Sequence, residues 1–268
     1  MITRRKLIAN TLKGMAALSL PAAAFEILTP DRLNAIIYND PAKVRYVFLV
    51  DTNKCVGCGL CVKACKNENE IPYDANVTRT WVERYIITRD ERHEVLEKVF
   101  ADSPKGARDG FITGQIDLGH GNIYMPKKED IDKAFFVPKL CNQCDNPACV
   151  QVCPVGATYQ ADDGVVLIDR KWCIGCGYCV MGCPYGVRFF HPVHRVADKC
   201  NFCYHRIKKG MKTACVDACP FGARLIGNYK DPDDAVTRII NTKRVGVLKE
   251  EFGTRPQVFY LGLSMEVR

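Results

Sequence analysis

Short apolar runs that end in polar turns set the pattern of this chain. The runs VFLV at 47–50 and VVLI at 165–168 are each followed by an aspartate and then by a cysteine. Three further runs follow Pro-x-Gly turns, in PVGATYQ, PYGVRFF and PFGARLI, which begin at residues 154, 184 and 220. Apolar runs of this length between turn residues are typical of strands. With helical turns expected in LCVKAC at 60–65 and YCVMGC at 178–183, the pattern predicts a repeated unit of strand, loop, short helix and strand.

Two longer segments depart from this repeat. Residues 78–88, TRTWVERYIIT, are strand-like, and a charged stretch and a glycine-rich stretch follow them as far as Gly121. Two uses of this insertion stay open, a partner-binding arm or lid and a structural cap. In the tail, DPDDAVTRIINT at 231–242 predicts a helix that begins at its Asp-Pro pair. RPQVFYLGL at 255–263 predicts a final strand, so the tail either wraps the domain or docks on a partner.

The cysteine content points to a special use of this residue, because sixteen cysteines are too many for an ordinary enzyme interior. They form four quartets with none left over: Cys55, Cys58, Cys61, Cys65; Cys141, Cys144, Cys149, Cys153; Cys173, Cys176, Cys179, Cys183; Cys200, Cys203, Cys215, Cys219.

The spacing of the third quartet, C-x2-C-x2-C-x3-C-P, is that of bacterial ferredoxins, whose cysteines ligate 4Fe–4S clusters. The second and fourth quartets lengthen one gap and keep the final Cys-Pro, whereas Lys66 follows the first quartet. Gly57, Gly59, Gly175 and Gly177 lie inside such loops, where the backbone needs positive φ to approach a cluster. The quartets therefore predict four 4Fe–4S clusters, with all sixteen cysteines as iron ligands.

Other uses of cysteine fit less well. Zinc sites favour two C-x2-C pairs a dozen or more residues apart, which only the fourth quartet approaches. A disulfide framework suits an exported chain but does not account for repeated clusters that end in proline. Haem attachment needs C-x-x-C-H, and Tyr204 separates Cys203 from His205. The C-x3-C-x2-C order of radical-SAM enzymes is absent from the sequence.

The order of the quartets predicts an α+β fold of two nested, two-cluster ferredoxin-like domains of βαββαβ type, with a long insertion and a C-terminal tail. The inner domain is 137–192, the outer domain is 44–70 plus 196–228, the insertion is 71–136 and the tail is 229–268. A cysteine that precedes proline serves the neighbouring cluster in two-cluster ferredoxins. With this crossing, the four ligand sets are Cys141, Cys144, Cys149 with Cys183; Cys173, Cys176, Cys179 with Cys153; Cys55, Cys58, Cys61 with Cys219; and Cys200, Cys203, Cys215 with Cys65.

The formal net charge of +8 does not indicate nucleic-acid binding. Sixteen thiolates outweigh four oxidised cluster cores by about eight negative charges, which cancels the excess. Lysines stand one or two places before each quartet, and we expect them to offset cluster charge or to be solvated: Lys54, Lys139, Lys171 and Lys199. Trp172, beside Cys173, is expected to shield a cluster from water.

Residues 1–24 resemble a Tat export signal. They combine the pair Arg4-Arg5, a mildly apolar stretch and the small-residue run PAAA at 21–24. Lys13 and Gly14 interrupt the apolar stretch, so a membrane span is not expected, here or elsewhere in the chain. The alternative is a basic amphipathic helix. The signal predicts a periplasmic location at the outer face of the cytoplasmic membrane.

Most of residues 44–228, through the quartets and their nesting, resembles the four-cluster iron–sulfur subunits of the DMSO reductase family of complexes. Members serve tetrathionate, polysulfide, nitrite or sulfite-linked reactions. The resemblance implies that single electrons pass between a membrane quinone-reactive subunit and a molybdopterin catalytic or cytochrome subunit, without catalytic residues in this chain. Anaerobic respiration is the expected setting. Two alternatives are a free polyferredoxin shuttle and an iron–sulfur redox sensor, the latter without any DNA-binding element in the sequence.

Overall fold

The computed structural model describes residues 44–75, 77–88, 98–102, 131–265 and 267. The predicted export signal at 1–24 and much of the insertion, including its glycine-rich stretch, lie outside the described residues. The elements in chain order are β1 (Tyr46–Asp51), α1 (Leu60–Glu68), β2 (Thr80–Thr88), β3 (Lys98–Asp102), β4 (Ile131–Leu140), α2 (Ala148–Gln151), β5 (Thr158–Gln160), β6 (Val166–Ile168), α3 (Tyr178–Met181), β7 (Phe189–Phe190), β8 (Ala197–Asp198), α4 (Tyr204–Ile207), α5 (Ala214–Asp217), β9 (Arg224–Asn228), α6 (Ala235–Thr242), β10 (Val245–Gly246) and β11 (Val258–Leu261).

A four-stranded sheet in the order β10-β11-β1-β9 joins the start of the described chain to its tail. Strand β1 pairs antiparallel with β9, with Phe48 opposite Ile226, and parallel with β11, with Phe48 opposite Val258. Residues 47–50 are buried on both faces of this sheet. Phe48 and Val50 face the main core, whereas Val47 and Leu49 pack with Val236 of α6. Burial on both faces explains why this run is continuously apolar.

The tail is therefore part of the sheet. The predicted final strand is confirmed as β11, but the predicted start of the tail helix at Asp231-Pro232 is wrong. Helix α6 begins at Ala235, where the Asp234 side chain accepts hydrogen bonds from the backbone N–H groups of Val236 (2.7 Å) and Thr237 (3.3 Å). Asp234 is the N-cap because its carboxylate satisfies N–H groups that no preceding turn can reach.

The insertion contributes a second sheet, in the order β3-β2-β4. The strand predicted at 78–88 is present as β2, which pairs antiparallel with both neighbours. Trp81 and Tyr85 of β2 lie in the main core, and the Tyr85 ring stacks on Phe135 with centroids 5.3 Å apart. Strand β4 ends at Leu140, so this sheet positions the second quartet directly.

Short elements surround the remaining quartets. Strands β5 and β6 form one antiparallel hairpin, and β7 and β8 form another. Helix α1 packs against α5, and α2 packs against α3. Each contact places a helix of one quartet beside a helix of another. Within the described part of the chain, no helix has the length and apolar character needed to span a membrane.

Candidate metal centres

The glycines of the cysteine loops have the backbone conformation that the sequence predicts. Their φ angles are +71° at Gly57, +72° at Gly59, +71° at Gly175 and +83° at Gly177. Gly59 and Gly177 also precede the first residues of α1 and α3, so each loop turns directly into its helix. At Gly57 a Cβ atom would lie 2.4 Å from the Phe136 ring. The loop therefore needs glycine there both for its conformation and for space.

One cavity brings together four thiols from two quartets. It is lined by Cys141, Cys144 and Cys149 of the second quartet and by Cys183 of the third. Cys153, the fourth cysteine of the second quartet, is not among the lining residues. The other walls are mainly apolar and are formed by Pro147, Ala148, Val166, Pro184, Tyr185 and Val187. This cavity combines four sulfur donors with a largely apolar lining, to which Asn142, Arg188 and Thr254 add polar groups.

The thiols in this cavity fit a cationic cluster core. Burial, together with the neighbouring Cys141, Cys149 and Cys183, raises the pKa of Cys144 to about 12 in spite of a hydrogen bond with Thr254 that lowers it. Thiols with such pKa values ligate metal only when a strongly positive centre removes their protons. An oxidised 4Fe–4S core supplies that charge and one iron for each of four sulfurs.

The first and fourth quartets come together in the same way across the sheet. Burial raises the pKa of Cys55, and the nearby thiols of Cys219 and Cys58 act in the same direction. Burial also raises the pKa of Cys65, which lies among the thiols of Cys200, Cys215 and Cys203.

Cys61 lies where these two groups meet. Burial raises the pKa of its thiol to about 11, and Cys215, Cys55 and Cys58 are its thiol neighbours. Cys61 therefore has neighbours from both predicted ligand sets, which places the two sets side by side.

The remaining predicted set is less closely defined. Helix α2, which ends just before Cys153, packs on α3, which carries Cys179. The environment of Cys153 suits a thiolate, because backbone N–H groups of Thr158, Val155 and Ala157 outweigh the effect of burial and lower its pKa.

The sequence prediction about shielding needs correction, whereas the prediction about the four lysines holds except at Lys139. Trp172 is 67% exposed, so the expectation that it shields a cluster is wrong. Of the four lysines, Lys199 is buried and its Nζ donates to the Cys200 carbonyl at 3.0 Å. Lys139 is buried against Glu83 instead, and Lys54 and Lys171 are largely exposed. The offset of cluster charge therefore concerns Lys199 above all.

Two arginines at these sites were not predicted from the sequence. Arg188 and Arg224 are only 4% and 1% exposed, and both lie among thiols of the quartets. Each is the fifth residue after the last cysteine of its quartet, in Cys-Pro-Tyr-Gly-Val-Arg and Cys-Pro-Phe-Gly-Ala-Arg. The shared position of the two arginines after Cys-Pro could have identified them in the sequence. The alternation of polar and apolar residues along the strands does not distinguish them from solvent-facing arginines.

All sixteen cysteines are among the described residues and all are free thiols, which contradicts the disulfide alternative. Among the described residues, no three His, Cys, Asp or Glu side chains converge closely enough to hold a single metal ion. A 4Fe–4S cluster uses a wider spacing than a single ion, since each of its thiolates binds a different iron.

Comparison with known proteins gives two family matches and a set of relatives. Residues 54–157 and 132–229 each match a 4Fe-4S dicluster domain family. A tetrathionate reductase subunit of Salmonella typhimurium is 40% identical over 222 residues, which cover 82% of this sequence and 73% of the relative. The corresponding tetrathionate reductase subunit of Archaeoglobus fulgidus is 41% identical over 220 residues, 82% and 83% of the two sequences. A polysulfide reductase component of Wolinella succinogenes is 32% identical over 216 residues, 80% and 93% of the two sequences.

Proposed function

This protein belongs to the family of 4Fe–4S electron-transfer subunits of quinone-linked reductase complexes, and from that membership we propose that it relays electrons between a membrane quinone-reactive subunit and a catalytic subunit. Its dicluster domains carry four 4Fe–4S clusters. The observation that carries the proposal is the cavity shared by Cys141, Cys144, Cys149 and Cys183. Because its thiols come from two quartets, a cluster bound there would lie close to the cluster of the neighbouring quartet.

The arrangement we propose is nested, with the inner domain at 137–192 and the outer domain at 44–70 plus 196–228. Two contacts support it: β1 pairs with β9, and α1 packs on α5, so that both ends of the outer domain meet. The family matches follow the chain in order and do not themselves decide the nesting. The ligand sets we propose are Cys141, Cys144, Cys149 and Cys183; Cys173, Cys176, Cys179 and Cys153; Cys55, Cys58, Cys61 and Cys219; and Cys200, Cys203, Cys215 and Cys65.

The clusters supply one-electron redox chemistry, and the protein sets the conditions for it. Backbone N–H groups of Thr158, Phe202 and Ala223 each donate to a cysteine Sγ at 3.4 Å, on Cys153, Cys200 and Cys219 respectively. Such donors stabilise the more negative, reduced state and raise the reduction potential. The buried apolar walls act in the opposite direction, since they disfavour added charge.

The first test is composition. Four complete quartets predict about sixteen iron and about sixteen acid-labile sulfide per chain in protein purified without oxygen. Iron near fifteen, with one cluster of 3Fe type, or iron near twelve, with one cluster missing, would contradict the completeness of the quartets. Stoichiometric zinc would restore the zinc alternative for the fourth quartet.

A fixed partner is favoured over a free shuttle by the surface around the third quartet. Trp172, Ile174, Tyr178 and Met181 are 67%, 64%, 55% and 73% exposed, and they lie within five residues of the exposed Cys176 in the sequence. Large apolar side chains gathered on one surface are typical of protein–protein contacts. We propose that a partner subunit covers this surface at the periplasmic side of the membrane, after Tat export. The catalytic subunit of a tetrathionate-type reductase is the first candidate, because two relatives are named as parts of that enzyme.

This proposal predicts stable co-purification with a membrane or catalytic subunit after gentle detergent extraction. Ile174→Asp and Met181→Asp should each lower the recovered partner at least about tenfold, because a buried unpaired carboxylate costs several kcal/mol. Phe252→Asp is the matched control, since Phe252 is also exposed (56%) but lies in a different segment. Recovery of the unaltered protein only as a soluble monomer would favour the shuttle.

A further inference from the structure

Arg188 and Arg224 occupy equivalent environments in the two proposed domains. Arg188 faces Cys149 and Cys141 of one proposed ligand set and Cys179 of the next. Arg224 faces Cys61 and Cys55 of one set and Cys215 of the next. Each guanidinium therefore lies between the two cluster sites of its own domain.

The hydrogen bonding of the two arginines is also equivalent. Nη1 of Arg188 donates to Oγ1 of Thr158 at 3.3 Å, and Nη1 of Arg224 donates to Oγ1 of Thr80 at 2.9 Å. In both residues Nη2 is buried and has no hydrogen-bond partner among the described residues. A threonine thus holds one side of each guanidinium, and Arg188 in addition lies within hydrogen-bonding reach of the Cys179 thiol.

The charge of the two arginines needs a negative partner. Burial of an isolated guanidinium is costly, and proteins balance such a charge with an anion. The groups that stabilise the charged form are mainly thiols, and they outweigh burial and raise the pKa of both side chains. Neither arginine forms an ion pair with a carboxylate within the part of the chain that the structure describes. Ligated clusters carry a net negative charge in this position, and their sulfurs accept hydrogen bonds.

We propose that Arg188 and Arg224 are positioning charges, each held by its threonine between two clusters, that raise the reduction potentials of both clusters of the domain together. This inference rests on the proposed cluster arrangement. A fixed positive charge favours the state with the extra electron, and the effect is strong at short range inside a protein. Because each arginine lies between two sites, both members of a pair become easier to reduce, and the potential difference between them changes little.

The test is a redox titration of the intact, cluster-loaded protein followed by electron paramagnetic resonance. Cys58→Ser, Cys203→Ser, Cys144→Ser and Cys176→Ser each identify one signal. Arg224→Met should lower the potentials of the outer pair, with about a tenfold change in the reduction equilibrium, or about 59 mV for one electron. It should leave the inner pair unchanged, and Arg188→Met should do the reverse. Arg224→Lys and Arg188→Lys should stay near the unaltered protein, because they keep the charge.

Each outcome decides between a charge and a packing role. Loss of a cluster pair in the methionine variant alone, with retention in the lysine variant, also supports the proposal. The proposal would be overturned if the methionine variants kept the original potentials, or if all four signals shifted equally. It would also be overturned if the lysine and methionine variants had equal effects on the potentials, or if both variants lost clusters. Arg238→Met is the control, since the Arg238 side chain is 64% exposed and pairs with Asp233. Iron content and four signals in the unaltered protein test the proposed function separately.

Discussion

Cys183→Ser is expected to damage the cluster seated on Cys141, Cys144 and Cys149 rather than the one seated on its own quartet. Cys183 lines the same cavity as those three cysteines. Serine is a poor iron ligand because its hydroxyl does not ionise readily, so the site should lose one iron or the whole cluster, about four of sixteen irons. Iron analysis together with electron paramagnetic resonance measures both the loss and its place.

Two variants assign the signals in this experiment. Cys144→Ser marks the cluster of the second quartet, and Cys176→Ser marks that of the third. Cys183→Ser should alter the signal marked by Cys144→Ser and leave the other with its full thiolate set. A change in the signal marked by Cys176→Ser instead would mean that each quartet ligates its own cluster.

Cys219→Ser should have an effect of similar size in the proposed outer domain. Cys219 and Cys58 are both close enough to Cys55 to raise the pKa of its thiol. Loss of the Cys219 thiolate should therefore remove a ligand from the cluster on Cys55, Cys58 and Cys61, with about one to four irons lost. The cluster on Cys200, Cys203 and Cys215 should keep its ligands.

Two variants assign the signals in this second experiment: Cys58→Ser marks the cluster of the first quartet, and Cys203→Ser marks that of the fourth. If Cys219→Ser changes the signal marked by Cys203→Ser and spares the other, the proposed nesting is wrong for the outer domain. Results that agree in the inner domain and disagree in the outer one would confine crossed ligation to residues 137–192.

Local signals in the sequence predicted much of the fold and of the site. The spacing of the quartets, the four loop glycines with positive φ and the strands β1, β2 and β11 all depend on residues close together in the chain. The start of the tail helix was predicted wrongly because both Asp231 and Asp234 could serve as its N-cap. Asp234 is the N-cap in the structure, where it also accepts a hydrogen bond from the backbone N–H of Asn228, the last residue of β9, at 3.1 Å.

Other features depend on contacts that no local pattern carries. Arg224 is in a strand and would pass for a solvent-facing residue, yet it is buried beside Thr80, Cys55 and Cys61, all of them more than 140 residues away in sequence. Trp172 is apolar and next to a ligand, yet it lies on the surface because the hairpin β5-β6 ends before it. Side-chain burial in this protein is a property of the assembled fold rather than of any segment.

The position of β11 beside β1 bears on the order of events during biosynthesis. The Thr52 hydroxyl donates to the carbonyl of Leu261, across a sequence separation of 209 residues. Ribosomes add about 5–20 residues per second, so β1 waits on the order of ten seconds or more for this neighbour. Contacts over such separations also form slowly. We therefore expect the loop after β1 to receive iron and sulfide only after translation of β11.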